Sequence, residues 1–339
     1  MSDKAPVVSV CIANYNGVEV IDECLRSVLN QQGDIALEIL VHDDASTDGS
    51  ASYIHDRFPR VKVIEGAENV GFCVANNRMA AGASGEYLLL LNNDAALYPD
   101  ALETLLAEAR RLPIPSILGL PQYDAATGEL IDVGCMLDPF LNPIPNRRTE
   151  SADVGMVIGA CFWIPKVLWR QLGGFPEWFG SIAEDMYLCA RARLAGFPVR
   201  ALGSSGYRHW QGKSFGGNRV TPLGLSTTFR RRALSERNKS FVMVVACPTP
   251  WMYLLLVVHL LMLLLEAGVL TALKGEPRIW REIYAPCFLG LWRRRLLLWA
   301  TRKEVQMSRR AGLRVLASVF QFVPYKLLML ARHGLPRLR

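Results

Sequence analysis

Three clusters of acidic and amide side chains follow apolar segments in the first hundred residues of the chain. The clusters occupy residues 14–17, 43–44 and 92–94. Asp94 is suited to hold a hard cation such as Mg²⁺, with Asn92 as a weaker ligand and substrate phosphates and water completing the octahedron. The alternative explanation of residues 92–94 is an ordinary turn that follows a strand. Asp43 and Asp44 could bind a nucleobase or a ribose, or cap the next helix.

Two features further along the chain fit proton transfer or ligand binding. Glu184 and Asp185 open a predicted helix, where the helix dipole favours carboxylates. One of them could instead be a general base that removes a proton from a hydroxyl group. His209 lies beside Trp210, before a segment rich in glycine. A lone histidine is commonly structural, and the alternative is a metal ligand or a phosphate contact on a loop that closes over the site.

The elements that must position these residues alternate between strands and helices. This alternation predicts an α/β fold with a mostly parallel sheet, in which ligands bind beyond the carboxyl ends of the strands, where the polar clusters lie. Strands are predicted at residues 7–12, 37–41, 61–64, 87–91, 154–163 and 197–202. Helices are predicted at residues 18–31, 51–58, 69–83, 99–111, 165–172 and 182–195, and a flexible segment is predicted to contain residues 209–210 and 212–217.

Composition and charge exclude several classes of protein. The chain has 339 residues, of which 51% are hydrophobic, so it can bury a core. Its net charge of +7 is the sum of −8 over residues 1–224 and +15 over residues 225–339. The basic residues lie among apolar runs, which argues against a nucleic-acid partner. The sequence has neither the glycine patterns of dinucleotide and P-loop sites nor cysteines at metal-binding spacing.

Taken in order, these motifs resemble the family 2 glycosyltransferases, which have a nucleotide-sugar-binding GT-A fold. The resemblance covers residues 6–217 and includes the segments 8–16, 40–50, 68–72 and 85–94. The Glu-Asn-Val-Gly-Phe and Leu-Asn-Asn-Asp sequences are most similar to the rhamnosyltransferase-like branch, which builds bacterial surface polysaccharides. The resemblance therefore implies a catalytic domain over residues 1–224 and an enzyme of the hexosyltransferase class.

The resemblance also implies a role for each polar residue. Asp185, with Glu184 beside it, would be the catalytic base, and Asp94 and His209 would bind Mg²⁺ or Mn²⁺. The donor nucleotide would be bound by Asn14, Asn16, Asp43, Asp44, Asn76, Asn92 and Asn93. Two positions depart from the family pattern. Asn92 replaces the first acidic residue of the metal motif, and Tyr187 stands where the family often has an acidic residue.

The reaction implied is an inverting transfer of a sugar to a lipid-linked saccharide acceptor. Rhamnose from dTDP-rhamnose is the first expectation for the donor, and a UDP-hexose or UDP-galactofuranose is the alternative. A non-catalytic nucleotide-sugar-binding subunit of a polysaccharide assembly complex is an alternative of a different class. The sequence leaves the oligomeric state open.

Residues 225–339 predict a helical region that attaches to a membrane. Residues 251–273 are apolar enough to span a bilayer, but clusters of Arg and Lys on both sides oppose a single span. His259 and Glu266 are costly in lipid unless they are paired. We therefore expect helices lying in the interface against anionic lipids, in preference to a span or a soluble tail. Since the first residues lack a signal-peptide pattern, the expected location is the cytoplasmic face of the bacterial inner membrane.

Overall fold

A computed structural model describes residues 5–210, 219–221 and 224–339 of the chain. The chain forms two compact units. The first comprises Met1–Cys135, Pro145–Ala192 and Phe197–Ser214, and the second comprises Met136–Ile144, Arg193–Gly196 and Phe215–Arg339. The sequence composition did not indicate that residues 136–144 and 193–196 belong to the second unit. The domain boundary expected at residue 224 stays a prediction. The segment expected to be flexible is described only in part: residues 212–217 lie outside the described residues, whereas His209 ends a strand, so the expectation of a loop at His209 is wrong.

The first part of the chain alternates between strands and helices, as the sequence predicts. Its strands are β1 (Val8–Asn14), β2 (Leu37–Asp43), β3 (Lys62–Glu65), β4 (Tyr87–Asn92), β5 (Ala95–Leu97), β6 (Ile117–Gly119), β7 (Gln122–Asp124), β8 (Leu130–Asp132), β9 (Cys135–Leu137), β10 (Pro143–Pro145), β11 (Ala152–Asp153), β12 (Cys161–Pro165), β13 (Val199–Ala201) and β14 (Tyr207–His209). Its helices are α1 (Ile21–Leu29), α2 (Ser50–Arg57), α3 (Phe72–Gly82), α4 (Ala101–Arg111), α5 (Lys166–Leu172) and α6 (Glu184–Leu194), with a 3₁₀ turn at Glu177–Phe179.

The central sheet of the first unit has the strand order β11-β13-β6-β12-β4-β1-β2-β3. Strands β3, β2, β1 and β4 are parallel in succession, and β6 is parallel to β13. Strand β12 runs antiparallel to both of its neighbours. The central strands β1 and β4 are buried along nearly their whole length, which is why both read as continuous apolar runs in the sequence. The predicted α/β fold with a mostly parallel sheet is confirmed.

A second sheet in this unit, with the order β5-β14-β7-β8, carries the predicted histidine. Strand β14 is antiparallel to β5 and pairs His209 with Ala95. Because Asp94 directly precedes Ala95, this pairing brings His209 beside Asp94 although 115 positions separate them in the sequence. Helix α1 packs against β5 and buries Ile21, Leu25 and Val28 on one face, as its 3.6-residue periodicity predicts.

Most predicted elements begin within three residues of their expected positions, and the start of two of them has a visible cause in the backbone. The helix expected from residue 182 begins at Glu184, because Ile182 and Ala183 have left-handed backbone angles, φ 70° and 68°, which no right-handed helix contains. The strand expected over residues 154–163 is limited to β12. A turn closed by the hydrogen bond from Cys161 N to Ile158 O interrupts it. The starts of α6 and β12 both lie next to predicted site residues.

The second unit is mainly helical. Its helices are α7 (Phe229–Ala246), α8 (Trp251–Lys274), α9 (Ala285–Arg293), α10 (Arg295–Met307), α11 (Leu313–Ala317) and α12 (Tyr325–His333), with a π-helical turn at Ile279–Tyr284. A small sheet contains β15 (Arg219–Thr221), β16 (Gly224–Thr227) and β17 (Arg337–Leu338). Within the described residues, α8 is the one helix that is long and apolar enough to cross a membrane. The predicted apolar helix at residues 251–273 is confirmed.

A buried carboxylate, Glu38, joins several elements of the first unit. Its side chain accepts hydrogen bonds from Ser9 Oγ at 2.6 Å, Ser84 N at 2.7 Å and Lys62 Nζ at 2.8 Å. Burial alone would raise the pKa of Glu38, but these hydrogen bonds and the charge of Lys62 lower it to about 2. The ionised form therefore contributes to the stability of the sheet.

Replacing Glu38 by Gln should lower the free energy of unfolding by about 2 kcal/mol at pH 7. Because the folded-state pKa lies below the usual value of 4.5, this contribution is present above pH 4.5 and is lost as the pH falls toward 2. Urea denaturation at pH 7 and pH 3 measures both effects, with the exposed Glu129→Gln as the matched control. An equal loss for Glu38→Gln at both pH values would contradict this account.

Candidate functional site

The ends of three neighbouring strands are joined by the side-chain amide of Asn14. Asn14 Nδ2 donates to Asp43 Oδ1 at 2.8 Å and to Ser50 Oγ at 2.9 Å. Asn14 Oδ1 accepts a hydrogen bond from Asn93 Nδ2 at 2.8 Å. Asn14 is the last residue of β1, Asp43 is the last residue of β2, and Asn93 follows β4. The structure therefore brings the three predicted polar clusters together at the carboxyl end of the sheet.

The two aspartates after β2 make bonds to the chain itself. Asp43 Oδ1 also accepts from Ser46 Oγ at 2.7 Å, and Asp43 Oδ2 accepts from Ser46 N at 2.9 Å. Asp44 accepts from Val70 N and Gly71 N, each at 2.8 Å, and so holds the loop that leads into α3. These bonds explain why carboxylates occupy both positions. Asp43 Oδ1 accepts from both Asn14 and Ser46, whereas Asp43 Oδ2 and both oxygens of Asp44 accept one bond each, so these three oxygens are compatible with the predicted contacts to a donor nucleotide.

The other amides predicted to bind the donor have different surroundings. Asn16 is exposed with φ 48°, and its Oδ1 accepts from Thr47 N at 2.8 Å. Asn76 is buried in α3, where its Nδ2 donates to Phe72 O at 2.9 Å. Asn16 therefore belongs to the loop beside the Asn14 cluster. For Asn76, the hydrogen bond that is seen lies within its own helix, and its contact with a donor stays a prediction.

The predicted metal ligands lie next to each other. His209 Nε2 is 3.0 Å from Asp94 Oδ1 and 3.5 Å from Asn92 Nδ2. Asp94 and His209 are both buried, at 3% and 9% exposure. A carboxylate and an imidazole nitrogen at this separation form a partial ligand set for Mg²⁺ or Mn²⁺, with donor phosphates and water completing it. The described residues contain no group of three or more His, Cys, Asp or Glu that could hold a metal without such help. The site thus fits a cation shared with a bound diphosphate.

The predicted base, Asp185, is fixed by main-chain amides. Its Oδ2 accepts from Gly159 N at 2.9 Å and its Oδ1 accepts from Met186 N at 2.7 Å. Glu184 and Asp185 are both buried at the start of α6. Burial raises the pKa of the Cys73 thiol, with further contributions from the Glu184 and Asp185 carboxylates near it. The acidic pair therefore lies beside α3.

The loop before this pair has an unusual backbone. Gly180, Ile182 and Ala183 all have φ near +70°, and for a β-branched residue such as Ile182 this conformation is a genuine outlier. Gly180 O accepts a hydrogen bond from Cys73 N at 3.1 Å, which attaches the loop to α3. Strain of this kind persists where the surrounding structure holds it, and it is concentrated at functional sites. It favours a functional role for the acidic pair over simple helix capping.

Sequence reasoning missed several residues that build the site. Ser46 and Ser50 belong to the Asn14 cluster, and Gly159 supplies an amide to Asp185. A Cβ on Gly159 would lie 3.4 Å from Asp185 Oδ2, so a small residue suits this position. The resemblance includes the two serines, within segment 40–50, and also Gly159 with Ala160, but it assigns them no role in the site.

Comparison with known proteins shows what the chain and its fold resemble. The model of Glycosyl transferase family 2 matches residues 9–172. N-acetylglucosaminyl-diphospho-decaprenol L-rhamnosyltransferase of Mycobacterium tuberculosis is 28% identical over 247 residues, which is 64% of this chain and 79% of the relative. The crystal structure of S. aureus TarS 1-349 in complex with UDP has a TM-score of 0.54 at 16% identity, covering 92% of this chain and 90% of that one. Mannosyltransferase PcManGT from Pyrobaculum calidifontis, in complex with GDP-Man and Mn²⁺, has a TM-score of 0.52 at 17% identity and covers 90% and 86%.

These findings define the class of the protein. The chain carries a family 2 glycosyltransferase domain with a GT-A fold. The predicted fold class, the resemblance to this family with its rhamnosyltransferase-like branch, and the expectation of an enzyme are confirmed. The roles of the individual site residues stay predictions.

Gly17 allows the Asn14 cluster to form, and replacing it tests the cluster. A Cβ at Gly17 would overlap both Asn14 Oδ1 and Asn93 Nδ2. We expect Gly17→Ala to lower the free energy of unfolding by about 2–3 kcal/mol, because the buried amides lose their mutual bond. At Gly82 a Cβ meets nothing within 4 Å, so Gly82→Ala should leave stability unchanged or raise it by up to about 1 kcal/mol. Urea denaturation measures both variants, and equal stability of the two would show that the cluster contributes little.

Proposed function

We propose that the chain is an inverting glycosyltransferase in which Asp185 is the general base and Asp94 and His209 hold the donor diphosphate through a divalent cation. The observation that carries the proposal is the pairing of Asp94 with His209 at 3.0 Å, beside strand ends whose polar side chains are already ordered. A donor nucleotide would lie against the cluster of Asn14, Asp43 and Asn93. The two main-chain amides on Asp185 hold its carboxylate in one orientation.

In the proposed reaction, Asp185 takes the proton of an acceptor hydroxyl as its oxygen attacks the anomeric carbon of the donor sugar. The new glycosidic bond forms on the face opposite the bond that breaks, and the nucleoside diphosphate leaves with the bonding electron pair. A hydroxyl group has a high pKa, so a fixed carboxylate is needed to remove its proton as the bond forms. Mg²⁺ or Mn²⁺, when bound, would supply positive charge to the departing diphosphate.

The mycobacterial relative supports a specific donor and acceptor. Its name describes transfer of L-rhamnose to a lipid-linked sugar, N-acetylglucosaminyl-diphospho-decaprenol. We therefore propose a lipid-linked saccharide acceptor and, as the first donor to test, dTDP-rhamnose. UDP-hexose and UDP-galactofuranose donors are the alternatives for the same site. The proposed setting is the synthesis of bacterial surface polysaccharide.

The purified chain should transfer sugar from one of these donors to a lipid-linked saccharide in the presence of Mn²⁺. We expect Asp185→Asn to reduce turnover by about 10³-fold, because the amide cannot accept the proton. Donor affinity, measured by calorimetry, should change less than about threefold, because Asp185 acts on the acceptor. Product formation by mass spectrometry measures the turnover.

Glu184→Gln is the matched control for this experiment, since Glu184 is the neighbouring buried carboxylate. It should reduce turnover far less than Asp185→Asn does. A larger loss for Glu184→Gln would transfer the role of base to Glu184. Donor binding with neither transfer nor donor hydrolysis would identify a non-catalytic nucleotide-sugar-binding subunit instead.

We also propose that the second unit attaches the enzyme to the cytoplasmic face of the membrane through helix α8 lying in the interface. Helix α8 buries one stripe of residues, Met252, His259, Leu263, Ala267 and Leu270. Its other faces expose apolar residues throughout, including Leu254, Leu261 and Leu265. An exposed apolar surface of this size indicates a partner, and an unusually basic unit favours anionic lipid.

Glu266 and His259 of α8 are paired inside the second unit. Glu266 lies 2.5 Å from Arg232 Nη2 and 2.9 Å from Lys326 Nζ. His259 Nε2 is 2.9 Å from Ser240 Oγ. These bonds tie α8 to α7 and α12, and they would break if α8 left the unit to span a bilayer alone. They therefore support attachment in the plane of the membrane over a single span.

Leu265→Asp should reduce binding to phosphatidylglycerol vesicles by at least about tenfold, because Leu265 is 69% exposed on the apolar side of α8. Val167 is 65% exposed in the first unit, and Val167→Asp is the matched control that should bind as the unchanged chain does. Vesicle flotation measures the bound fraction. Equal binding of the two variants would contradict the proposed surface, and retention of the unchanged chain after carbonate washing would indicate a span.

A further inference from the structure

The strand end that carries His209 is attached to helix α1 on both sides of the histidine. Arg208 Nη2 lies 3.0 Å from Glu23 Oε1. Trp210 Nε1 donates a hydrogen bond to Glu23 Oε2 at 3.0 Å. Arg208 and Trp210 are the two neighbours of His209 in the sequence, so one carboxylate holds the chain immediately before and immediately after the predicted ligand.

The imidazole ring of His209 lacks the restraint that metal-binding histidines usually have. Such a histidine normally donates its second ring N–H to an acceptor, which fixes the ring. In the part of the chain that the structure describes, His209 Nδ1 is buried and has no hydrogen-bond partner. The orientation of the ring toward Asp94 therefore depends on the backbone that flanks it. Strands β5 and β7 pair with that backbone, and Glu23 adds side-chain contacts to the residue before and the residue after His209.

The same turn of α1 contacts the strand end that carries Asp94. Cys24 Sγ donates a hydrogen bond to Asn92 O at 3.4 Å. The main chain of Trp210 donates to Asp94 O at 2.9 Å. Adjacent residues of one helical turn thus contact both strand ends at the predicted metal site.

We propose that Glu23 is a positioning residue for the metal site, acting through Arg208 and Trp210 to hold His209 beside Asp94. This inference rests on the proposed metal role of Asp94 and His209. An ordinary surface ion pair would contribute almost nothing to the site, and the side chains of Glu23 and Arg208 are 42% and 51% exposed. Glu23 differs from such a pair because it contacts the residues on both sides of His209. Loss of Glu23 would remove its contacts with both of these neighbours.

Binding of Mn²⁺, followed by electron paramagnetic resonance with dTDP present, tests this proposal without any measurement of activity. We expect Glu23→Ala to weaken Mn²⁺ binding by about tenfold, as loss of an outer partner of a ligand does. Glu23→Gln keeps an oxygen that can accept from Trp210 and should show a smaller loss. Asp22→Asn is the matched control. Asp22 lies in the same helical turn as Glu23 but bonds to Arg26 and Tyr53, so this substitution should leave Mn²⁺ binding unchanged.

A double-mutant cycle shows whether Glu23 acts through its two partners. In a chain with Arg208→Ala and Trp210→Phe, adding Glu23→Ala should weaken Mn²⁺ binding no further. A full tenfold effect in that background would overturn the proposal, and so would normal binding by Glu23→Ala alone. Asp94→Asn tests the metal role of Asp94 separately from the positioning role of Glu23. If the unchanged chain and Asp94→Asn bind Mn²⁺ equally, the metal role itself fails and the role of Glu23 fails with it.

Discussion

The hydrogen bonds of a single buried amide, Asn14, hold together the end of the sheet at which the site is built. Parallel strands are paired along their length by main-chain bonds, but their ends diverge into loops that those bonds do not reach. Asn14 is 1% exposed and links the end of β1 to Asp43 at the end of β2 and to Asn93 after β4. Leaving such a polar group unpaired in the interior would cost about 1–3 kcal/mol, so each member of the cluster depends on the others.

The aspartates at this end of the sheet fall into two groups according to the groups that they contact. Asp43 and Asp44 accept main-chain and serine hydrogen bonds that shape the loops around the proposed donor site. Asp94 lies one residue beyond Asn93, directly before β5, and is paired with His209 from the neighbouring strand β14. Asp43 and Asp44 are thus fixed by contacts within the first 71 residues, whereas the position of Asp94 relative to His209 depends on how β5 pairs with β14. That dependence is why contacts outside the pair, such as those of α1, bear on the proposed metal site.

Much of the first unit follows from the sequence, because its strands are buried runs and its helices have one apolar face. The residues of β1, β2 and β4 match their predicted segments, and the polar clusters at their ends meet as parallel strands require. The short strands between residues 117 and 145 could not be predicted, since three-residue strands carry too little periodicity. Neither could the contact of Glu23 with Trp210, which joins residues 187 positions apart.

At the start of α6, next to the proposed base, the local sequence pattern alone did not predict where the helix begins. Residues 182–195 have a helical pattern, yet the helix begins only at Glu184 because Ile182 and Ala183 are held in left-handed conformations. Each such residue costs on the order of 1–3 kcal/mol, which the loop recovers through tertiary bonds such as that from Cys73 N to Gly180 O. The left-handed residues place Asp185 in the first turn of α6, where its carboxylate accepts from the amide of Gly159. The position of the proposed base therefore involves contacts from α3 and from residue 159 in addition to helix propensity.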